Sequence, residues 1–171
     1  MSNEKDYAKN IELSSVIFIY CKNKYLFLKR ASHKRIDPNK LNGVGGRLEE
    51  GENFLQGAIR ETEEETGYVI TPENIFFSGI IELNGGYEHN HIIGLFKAEV
   101  FDFDIPKKDT TDDGELIWID KEEIMNFENE IVDDVKYYFK DIMEGNIINF
   151  VNAKLDDNQK VYEITMDKLT V

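Results

Sequence analysis

The sequence has one cysteine, few positive charges and no long apolar run, and each shortage excludes a class of protein. A single cysteine, Cys21, leaves no internal disulfide and no cysteine-based zinc site, and its apolar surroundings predict a buried, inert thiol. No run of 18 apolar residues is present that could cross a bilayer, and residues 1–10 lack the apolar stretch of a signal peptide. We therefore expect a cytoplasmic protein without a membrane partner.

Positive charge is scarce along the whole chain. Only 20 Lys and Arg stand against 34 Asp and Glu, which gives a formal net charge of −14. Because such a surface repels a phosphate backbone, we expect no nucleic-acid polymer as a partner. The charge does not exclude a small nucleotide, since a bound cation can bridge carboxylates to phosphates. The sequence leaves open whether the protein is a monomer or a homodimer.

The pattern of apolar residues predicts one domain that mixes strands and helices. The 171 residues, of which 41% are hydrophobic, suit a single sizeable core. Strands are predicted at 13–21, 25–30, 75–83, 91–103, 115–120, 147–155 and 160–166. Helices are predicted over 53–66 and from about 133 to 143. This order of elements predicts an α+β fold or an α/β/α sandwich.

The predicted helix 53–66 has one apolar face and an acidic end. Four residues share the face that we expect to be buried: Leu55, Ala58, Ile59 and Thr62. Four acids crowd the last turn: Glu61, Glu63, Glu64 and Glu65. The helix dipole disfavours negative charge there, and each like-charge pair one turn apart costs roughly 0.2–0.5 kcal/mol. The acids are either a solvated face or a site for a divalent cation such as Mg²⁺, which would remove the repulsion.

A glycine-rich loop, residues 42–46, leads into this helix and lets the backbone approach a ligand closely. Loop and helix together fit the spacing Gly-x5-Glu-x7-Arg-Glu-x-x-Glu-Glu-x-Gly over 22 residues. The pattern is carried by Gly46, Glu52, Arg60, Glu61, Glu64, Glu65 and Gly67. It resembles the signature of the Nudix hydrolases. Thr62 and Tyr68 stand where that family has aliphatic residues, a departure that concerns packing rather than chemistry.

The resemblance implies a layered fold with a mixed β-sheet between helices. It covers residues 11–145 as a Nudix domain, which leaves residues 1–10 as an N-terminal extension. The strand pattern predicts a C-terminal β-hairpin over residues 146–171, which we expect to pack on the same domain. The resemblance also implies an enzyme that hydrolyses a nucleoside diphosphate linked to another group, by attack of water on phosphorus with Mg²⁺ or Mn²⁺. The alternative from another class is a non-catalytic nucleotide-binding module, which the complete set of acids in the pattern disfavours.

The resemblance also assigns roles to the acids. It gives metal binding to Glu61, Glu64 and Glu65, with the carbonyl of Gly45 completing the coordination. One of these glutamates holds or deprotonates the attacking water. Asp113 matches a loop acid that lies near the metals in relatives, and it is the other candidate for the base.

Four further residues have supporting roles or competing interpretations. The resemblance makes Glu52 and Arg60 a pair that braces the loop against the helix. Arg47 is placed to reach a phosphate, and its other interpretation is a solvated side chain. Glu88 is a weaker candidate for the base than Asp113.

The choice of nucleotide depends on residues outside the pattern. The segment 40–46 resembles the 8-oxo-dGTP diphosphatases, in which the asparagine that matches Asn42 contacts the purine. An acidic pair that matches Asp133 and Asp134 reads the base edge in that branch. A second interpretation makes these two acids an ordinary helix N-cap.

The 8-oxo-dGTP resemblance is incomplete at one position. The mammalian-type enzymes have a stacking tryptophan shortly before the acidic pair, and Ile131 and Val132 stand there in this sequence. Phe27 and Phe127 are candidates for the missing ring. ADP-ribose or another nucleoside diphosphate derivative is the alternative substrate.

Overall fold

The computed structural model describes residues 10–107 and 110–171. Within these residues lie ten strands, two α-helices and two short 3₁₀ helices. The strands are β1 (Ile11–Cys21), β2 (Lys24–Arg30), β3 (Leu41–Asn42), β4 (Val44–Arg47), β5 (Ile75–Asn84), β6 (Asn90–Glu99), β7 (Thr110–Thr111), β8 (Gly114–Asp120), β9 (Ile147–Leu155) and β10 (Val161–Thr170). The helices are α1 (Phe54–Thr66) and α2 (Val135–Glu144), and the 3₁₀ helices cover Pro72–Asn74 and Ile124–Phe127. Of the predicted N-terminal extension, only Asn10 belongs to the described residues.

The strands of the described residues form one mixed sheet. Eight of them follow the order β10-β9-β5-β6-β1-β2-β8-β7, while β3 pairs with β2 and β4 pairs with β1. The pairs β1–β6 and β5–β9 are parallel, and the others are antiparallel. The strands predicted over 13–21 and 25–30 are confirmed, and they pair as a hairpin with Tyr20 opposite Tyr25. The strand predicted over 91–103 ends earlier, at Glu99.

The two helices cover opposite faces of the sheet. Ala58 of α1 packs in one apolar cluster with Ile17. Phe139 of α2 packs in a second cluster with Phe18, the next residue of the same strand. Because successive side chains of a strand point to opposite faces, the helices lie on either side. The predicted α/β/α sandwich with a mixed sheet is therefore confirmed.

Helix α1 begins and ends as predicted, but its buried face is rotated. Asn53 caps the helix by accepting a hydrogen bond from the Gln56 amide, and Gly67 ends it in a left-handed conformation. The prediction that Leu55 is buried is wrong, since Leu55 is 37% exposed. The buried positions are Gly57, Ala58, Thr62 and Thr66. Phe54 instead of Leu55 turns toward the sheet, where its ring lies over Gly94 and leaves no room for a Cβ there.

Helix α2 and the C-terminal hairpin pack together. Asp134 occupies the position before α2 without making a side-chain cap, so the N-cap interpretation of this acid is wrong. Strand β9 pairs with β5 and faces α2 with buried Val151 and Ala153. Asp133 accepts a hydrogen bond from the backbone amide of Val161, at the start of β10. The hairpin is thus part of the sheet and contributes to its core.

Candidate active site

Strand β4 brings the glycine-rich loop up to the acidic end of α1. It pairs with β1, with Gly45 opposite Val16. A Cβ on Gly45 would collide with the carbonyl of Ser15, and a Cβ on Gly46 would collide with the Glu61 carboxylate. The amide of Gly45 donates a hydrogen bond of 2.9 Å to Oε2 of Glu65. Glycine at position 46 therefore lets the Glu61 carboxylate lie against the strand backbone, and glycine at position 45 lets β4 approach β1 closely.

Arg60 joins the loop to the helix. Its Nε and Nη2 donate to the two oxygens of Glu52 at 2.7 and 2.9 Å, and Nη2 also donates to the carbonyl of Arg47 at 2.9 Å. The hydrogen bonds from Arg60 lower the pKa of Glu52 to about 2. Nη1 donates in addition to Glu61 at 2.8 Å and to Glu64 at 3.1 Å. The guanidinium thus holds the two ends of the sequence pattern together.

The carboxylates of Glu61, Glu64 and Glu65, hereafter the carboxylate cluster, are short of positive charge. Burial raises the pKa of Glu65 to about 8, against the hydrogen bond from Gly45, and the charge of Glu61 adds to the rise. Burial also raises the pKa of Glu61, despite its bond to Arg60. Because burial is the main cause of both shifts, a bound cation would lower both pKa values.

The donor chemistry of the carboxylate cluster fits a hard divalent cation. Carboxylate oxygens are the ligands that Mg²⁺ and Mn²⁺ prefer, usually with waters and phosphate oxygens completing the shell. Across residues 10–107 and 110–171, no three His, Cys, Asp or Glu side chains are already gathered closely enough to hold a metal. Two of the three glutamates bond to Arg60 instead. The cluster therefore fits a metal that keeps several non-protein ligands.

Asp113 lies on the same side of the molecule as Glu65. It stands in the turn between β7 and β8 and forms an ion pair with Lys34. Its negative charge is one of the lesser causes that raise the pKa of Glu65, after burial. Glu88 lies elsewhere, in an exposed ion pair of 2.6 Å with Arg35. The structure thus brings Asp113 toward the carboxylate cluster and leaves Glu88 outside it.

A cavity of about 110 Å³ opens on the other side of the glycine-rich loop. Its polar lining consists of Arg30, Asp37, Asn42, Tyr87, His91, Asp134 and Tyr138. Val16, which pairs with Gly45, lines it too and so connects the cavity to the loop. The volume is below the roughly 300–1,000 Å³ of pockets that take whole ligands. The cavity therefore suits one ring of a ligand, with the remainder outside.

Asp134 lines the cavity and has one oxygen without a hydrogen-bond partner in the described chain. The residue is only 3% exposed, and its Oδ2 accepts a hydrogen bond of 2.7 Å from the Tyr138 hydroxyl. Its Oδ1 is buried without a partner among the described residues. Burial raises the pKa of Asp134 to about 6. A buried acceptor of this kind is costly unless a ligand satisfies it.

Asn42 and Asp133 differ in whether their polar side-chain atoms are available to bind a ligand. Oδ1 of Asn42 accepts from the Gly43 amide at 2.8 Å, which leaves the side-chain NH₂ without a partner in the described chain. Asp133 does not line the cavity. Its carboxylate accepts from Lys136, Lys160 and the Val161 amide, at 2.8 to 3.2 Å. The Asp133 carboxylate is thus hydrogen-bonded within the protein, whereas Asn42 and Asp134 line the cavity.

The ring candidates from the sequence lie outside the cavity. Phe27 is fully buried in the core, and Phe127 lines a separate depression beside Trp118. The aromatic side chains of the cavity are instead Tyr87, Tyr138 and His91. Tyr87 follows the turn Gly85-Gly86, and no pattern in the sequence marks it as a ligand contact. Only the pairing of β5 with β6 carries it there.

Two arginines besides Arg60 concern the site, Arg30 and Arg47. Arg30 lines the cavity, and its positive charge opposes the burial that raises the pKa of both Asp37 and Glu65. Its charge therefore acts both on the cavity and on Glu65 of the carboxylate cluster. Arg47 is 70% exposed and pairs with Glu12 at 3.0 Å.

The chain resembles known proteins in family and in fold. The family model described as NUDIX domain matches residues 12–140. The chain belongs to the NUDIX family. As a Nudix hydrolase it is an enzyme, and among curated proteins none matches its sequence closely enough to show a relationship. No helix of the described residues of this Nudix hydrolase has the length and apolar character needed to cross a bilayer.

Solved structures show the same fold. A MutT protein from Bacillus halodurans is 19% identical, with a TM-score of 0.77 over 91% of this chain and 97% of that one. A NUDIX hydrolase from Nitrosomonas europaea is 26% identical, with a TM-score of 0.64 over 78% and 89% of the two chains. A bifunctional NMN adenylyltransferase/ADP ribose pyrophosphatase from Francisella tularensis, solved with AMP and a Mn ion, is 19% identical, with a TM-score of 0.60 over 78% of this chain and 41% of that one. Nudix hydrolases generally depend on a divalent metal, which agrees with the donor chemistry of the carboxylate cluster.

Proposed function

We propose that this Nudix hydrolase cleaves a purine nucleoside triphosphate of the 8-oxo-dGTP type into a monophosphate and pyrophosphate. The observation that carries the proposal is Asp134, which lines a ring-sized cavity beside the glycine-rich loop and has a buried Oδ1 without a partner. A base held in that cavity leaves its phosphates outside. They would then extend past Arg30 toward the carboxylate cluster.

The cavity offers a pattern of donors and acceptors that suits a guanine-type base. The Asn42 NH₂ is a free donor and the Asp134 Oδ1 is a free acceptor. Guanine presents a carbonyl acceptor beside two N–H donors on one edge, whereas cytosine and adenine carry a ring nitrogen acceptor next to their amino group. A carboxylate therefore pairs better with the guanine edge. Asp133 has no part in this recognition, because its oxygens are bound to the hairpin.

The carboxylate cluster would hold Mg²⁺ or Mn²⁺ together with the phosphates. A bound divalent cation neutralises phosphate charge and lowers the pKa of a coordinated water. Glu65 is our first choice as a ligand, since it is the most buried acid of the cluster and is held in place by the Gly45 amide. We also propose the Gly45 carbonyl as a ligand. Arg60 keeps Glu61 and Glu64 in position, and Asp113 is placed to accept a proton if a glutamate does not.

A substrate panel tests the proposed reaction. Purified protein is incubated with MgCl₂ and 8-oxo-dGTP, dGTP, dCTP or ADP-ribose, and released pyrophosphate and phosphate are measured separately. We expect pyrophosphate from the two guanine nucleotides, slower turnover of dCTP, and no activity in excess chelator. A clear preference for ADP-ribose would replace the purine triphosphate with the alternative substrate. Full activity in chelator would overturn the metal assignment.

Replacing Asp134 tests the base assignment separately from the chemistry. Asp134→Ala should raise KM for the guanine nucleotides and lower kcat/KM by about threefold to 150-fold, the range for losing a hydrogen bond to a neutral or charged group. Turnover at saturation should change much less, because the carboxylate cluster is intact. Unchanged selectivity between dGTP and dCTP in this variant would remove the base assignment and leave the hydrolase chemistry.

A further inference from the structure

A second carboxylate lines the same cavity on a different segment of the chain. Asp37 lies between β2 and β3, and its Oδ2 accepts a hydrogen bond of 2.8 Å from the hydroxyl of Tyr87. Asp134, from the segment before α2, has its own tyrosine partner in Tyr138. The two acids thus form separate tyrosine–carboxylate pairs in one cavity of about 110 Å³.

The local backbone of Asp37 is unusual for a residue with a side chain. Its φ is 46°, in the left-handed region that non-glycine residues rarely adopt. Strained conformations of this kind persist where the surroundings enforce them, and they concentrate at ligand sites. Burial also raises the pKa of Asp37, although Tyr87, Arg30 and Lys40 all favour its charged form. Asp37 is therefore a half-buried acid in an uncommon backbone conformation, and it lines the cavity.

We propose that Asp37, oriented by Tyr87, determines specificity by accepting a hydrogen bond from the second edge of the base whose first edge meets Asp134. This inference rests on the proposed function and deepens it. A planar base that enters between two carboxylates presents one edge to each. The imidazole edge of an 8-oxopurine carries an N7–H donor, whereas the N7 of an unmodified purine is an acceptor. An acceptor opposite a carboxylate is left unpaired or repelled, so Asp37 selects the oxidised base.

The ligand side of the contact is tested with the unaltered protein. Calorimetry compares binding of 8-oxo-dGMP, 7-deaza-dGMP and dGMP, which carry at position 7 a donor, a C–H group and an acceptor. We expect the tightest binding for 8-oxo-dGMP, weaker binding for 7-deaza-dGMP and the weakest for dGMP. Binding of all three with the same affinity overturns the inference, whether or not triphosphates are hydrolysed. Failure of all three to bind overturns the purine assignment of the proposed function, and this inference with it.

The protein side is tested with Asp37→Asn, Tyr87→Phe and Glu88→Gln. Asparagine tolerates the left-handed region and keeps an oxygen for the Tyr87 hydroxyl, so folding should survive. Its amide can donate to N7, and we expect the ratio of affinities for 8-oxo-dGMP over dGMP to fall by about 10–100-fold. Tyr87→Phe leaves the Asp37 carboxylate in place, so the affinities for 8-oxo-dGMP and dGMP should fall together. Their ratio should stay within about threefold of that of the unaltered protein.

Glu88→Gln is the matched control. Glu88 pairs with Arg35 across the same two segments as Tyr87 and Asp37, but it is exposed and does not line the cavity. We expect the ratio of affinities for 8-oxo-dGMP over dGMP in Glu88→Gln to equal that of the unaltered protein. A purely structural link between the two segments predicts that Asp37→Asn behaves like Tyr87→Phe, with the ratio unchanged. That result would overturn the proposed specificity role.

Discussion

At the scale of single residues, the site depends on acids that the fold buries beside backbone amides and tyrosines. Glu65 lies against the Gly45 amide, and Asp134 lies against the Tyr138 hydroxyl. In both cases burial raises the pKa, to about 8 for Glu65 and about 6 for Asp134. Proteins keep such unfavourable charges mainly where function uses them.

Glu65→Gln should lower kcat by at least about 10²-fold, which corresponds to roughly 2.7 kcal/mol on the activation barrier. The variant should still fold, since glutamine has nearly the same shape as glutamate and keeps an oxygen for the Gly45 amide. Steady-state kinetics in MgCl₂ and circular dichroism measure the two effects. Glu63→Gln is the control, because Glu63 is an exposed acid of the same turn. Near-normal turnover of Glu65→Gln would show that another acid is the principal ligand.

Asp134→Asn should change how stability depends on pH. Asp134 has a folded-state pKa of about 6, above its ordinary value of 3.8, so the folded protein binds the extra proton between those values. Its contribution to stability is therefore present below about pH 3.8 and is lost as the pH rises through 6.

Asparagine stays neutral at every pH and can still accept from Tyr138. The variant should melt at about the same temperature as the unaltered protein near pH 4 and higher at pH 7, with a gain of at most about 3 kcal/mol. Thermal melts at several pH values, compared between the two proteins, measure the difference. A constant difference across this range would show that Asp134 does not titrate as the burial indicates.

At the scale of secondary-structure elements, the sequence predicted the structure of one continuous segment, the loop and α1. It did not predict contacts between residues that are distant in the sequence. The loop and α1 form a single local unit, so the spacing from Gly46 to Gly67 was sufficient to predict it. The rotation of the buried face of α1 follows from the contact of Phe54 with Gly94, which lies on a distant strand. Asp37 and Tyr87 are 50 residues apart and meet only through the sheet. Helical periodicity and motif spacing contain no information on such contacts.

The acidic pair before α2 has two different roles. Asp133 accepts hydrogen bonds from Lys136 of α2 and from Lys160 and the Val161 amide of the hairpin, whereas Asp134 lines the cavity. Asp133→Ala should therefore destabilise the fold by about 1.5–3 kcal/mol, the value of a hydrogen bond to a charged group. A drop of about 5 °C or more in melting temperature is expected for a chain of this size.

Base selectivity in Asp133→Ala should equal that of the unaltered protein at a temperature where both are folded. Kinetics with dGTP and dCTP, together with a thermal melt, measure both properties. Altered selectivity with normal stability would return Asp133 to the base-reading role that the sequence suggested for it.

At the scale of the whole molecule, one sheet joins the first described strand to the last. Strand β9 lies between β5 and β10, and its inward side chains Val151, Ala153 and Leu155 belong to the core that α2 covers. The sequence predicted a C-terminal hairpin but not the parallel pairing that inserts it, because pairing between residues about 70 apart leaves no local pattern.

A chain that ends at Gly145 should consequently lose cooperative unfolding, since β5 loses its neighbour and α2 loses the surface beneath it. A chain that ends at Leu155 keeps β9 and should still melt cooperatively, at a lower temperature. Thermal melts followed by circular dichroism, with binding of an apolar dye, compare the two truncations. A cooperative melt of the shorter chain near the normal temperature would show that the hairpin is dispensable for the fold.

The place of β9 in the sheet also has a consequence for synthesis of the chain. Ribosomes deliver β5 long before β9, so the β5 edge that β9 covers has no partner while residues 85–146 are being added. Parallel pairs between distant segments form late and slowly, and unpaired strand edges attract other chains in the meantime. A nascent chain stalled before Ile147 therefore exposes the β5 edge, and that edge is where a holding chaperone or an aggregating neighbour would first attach.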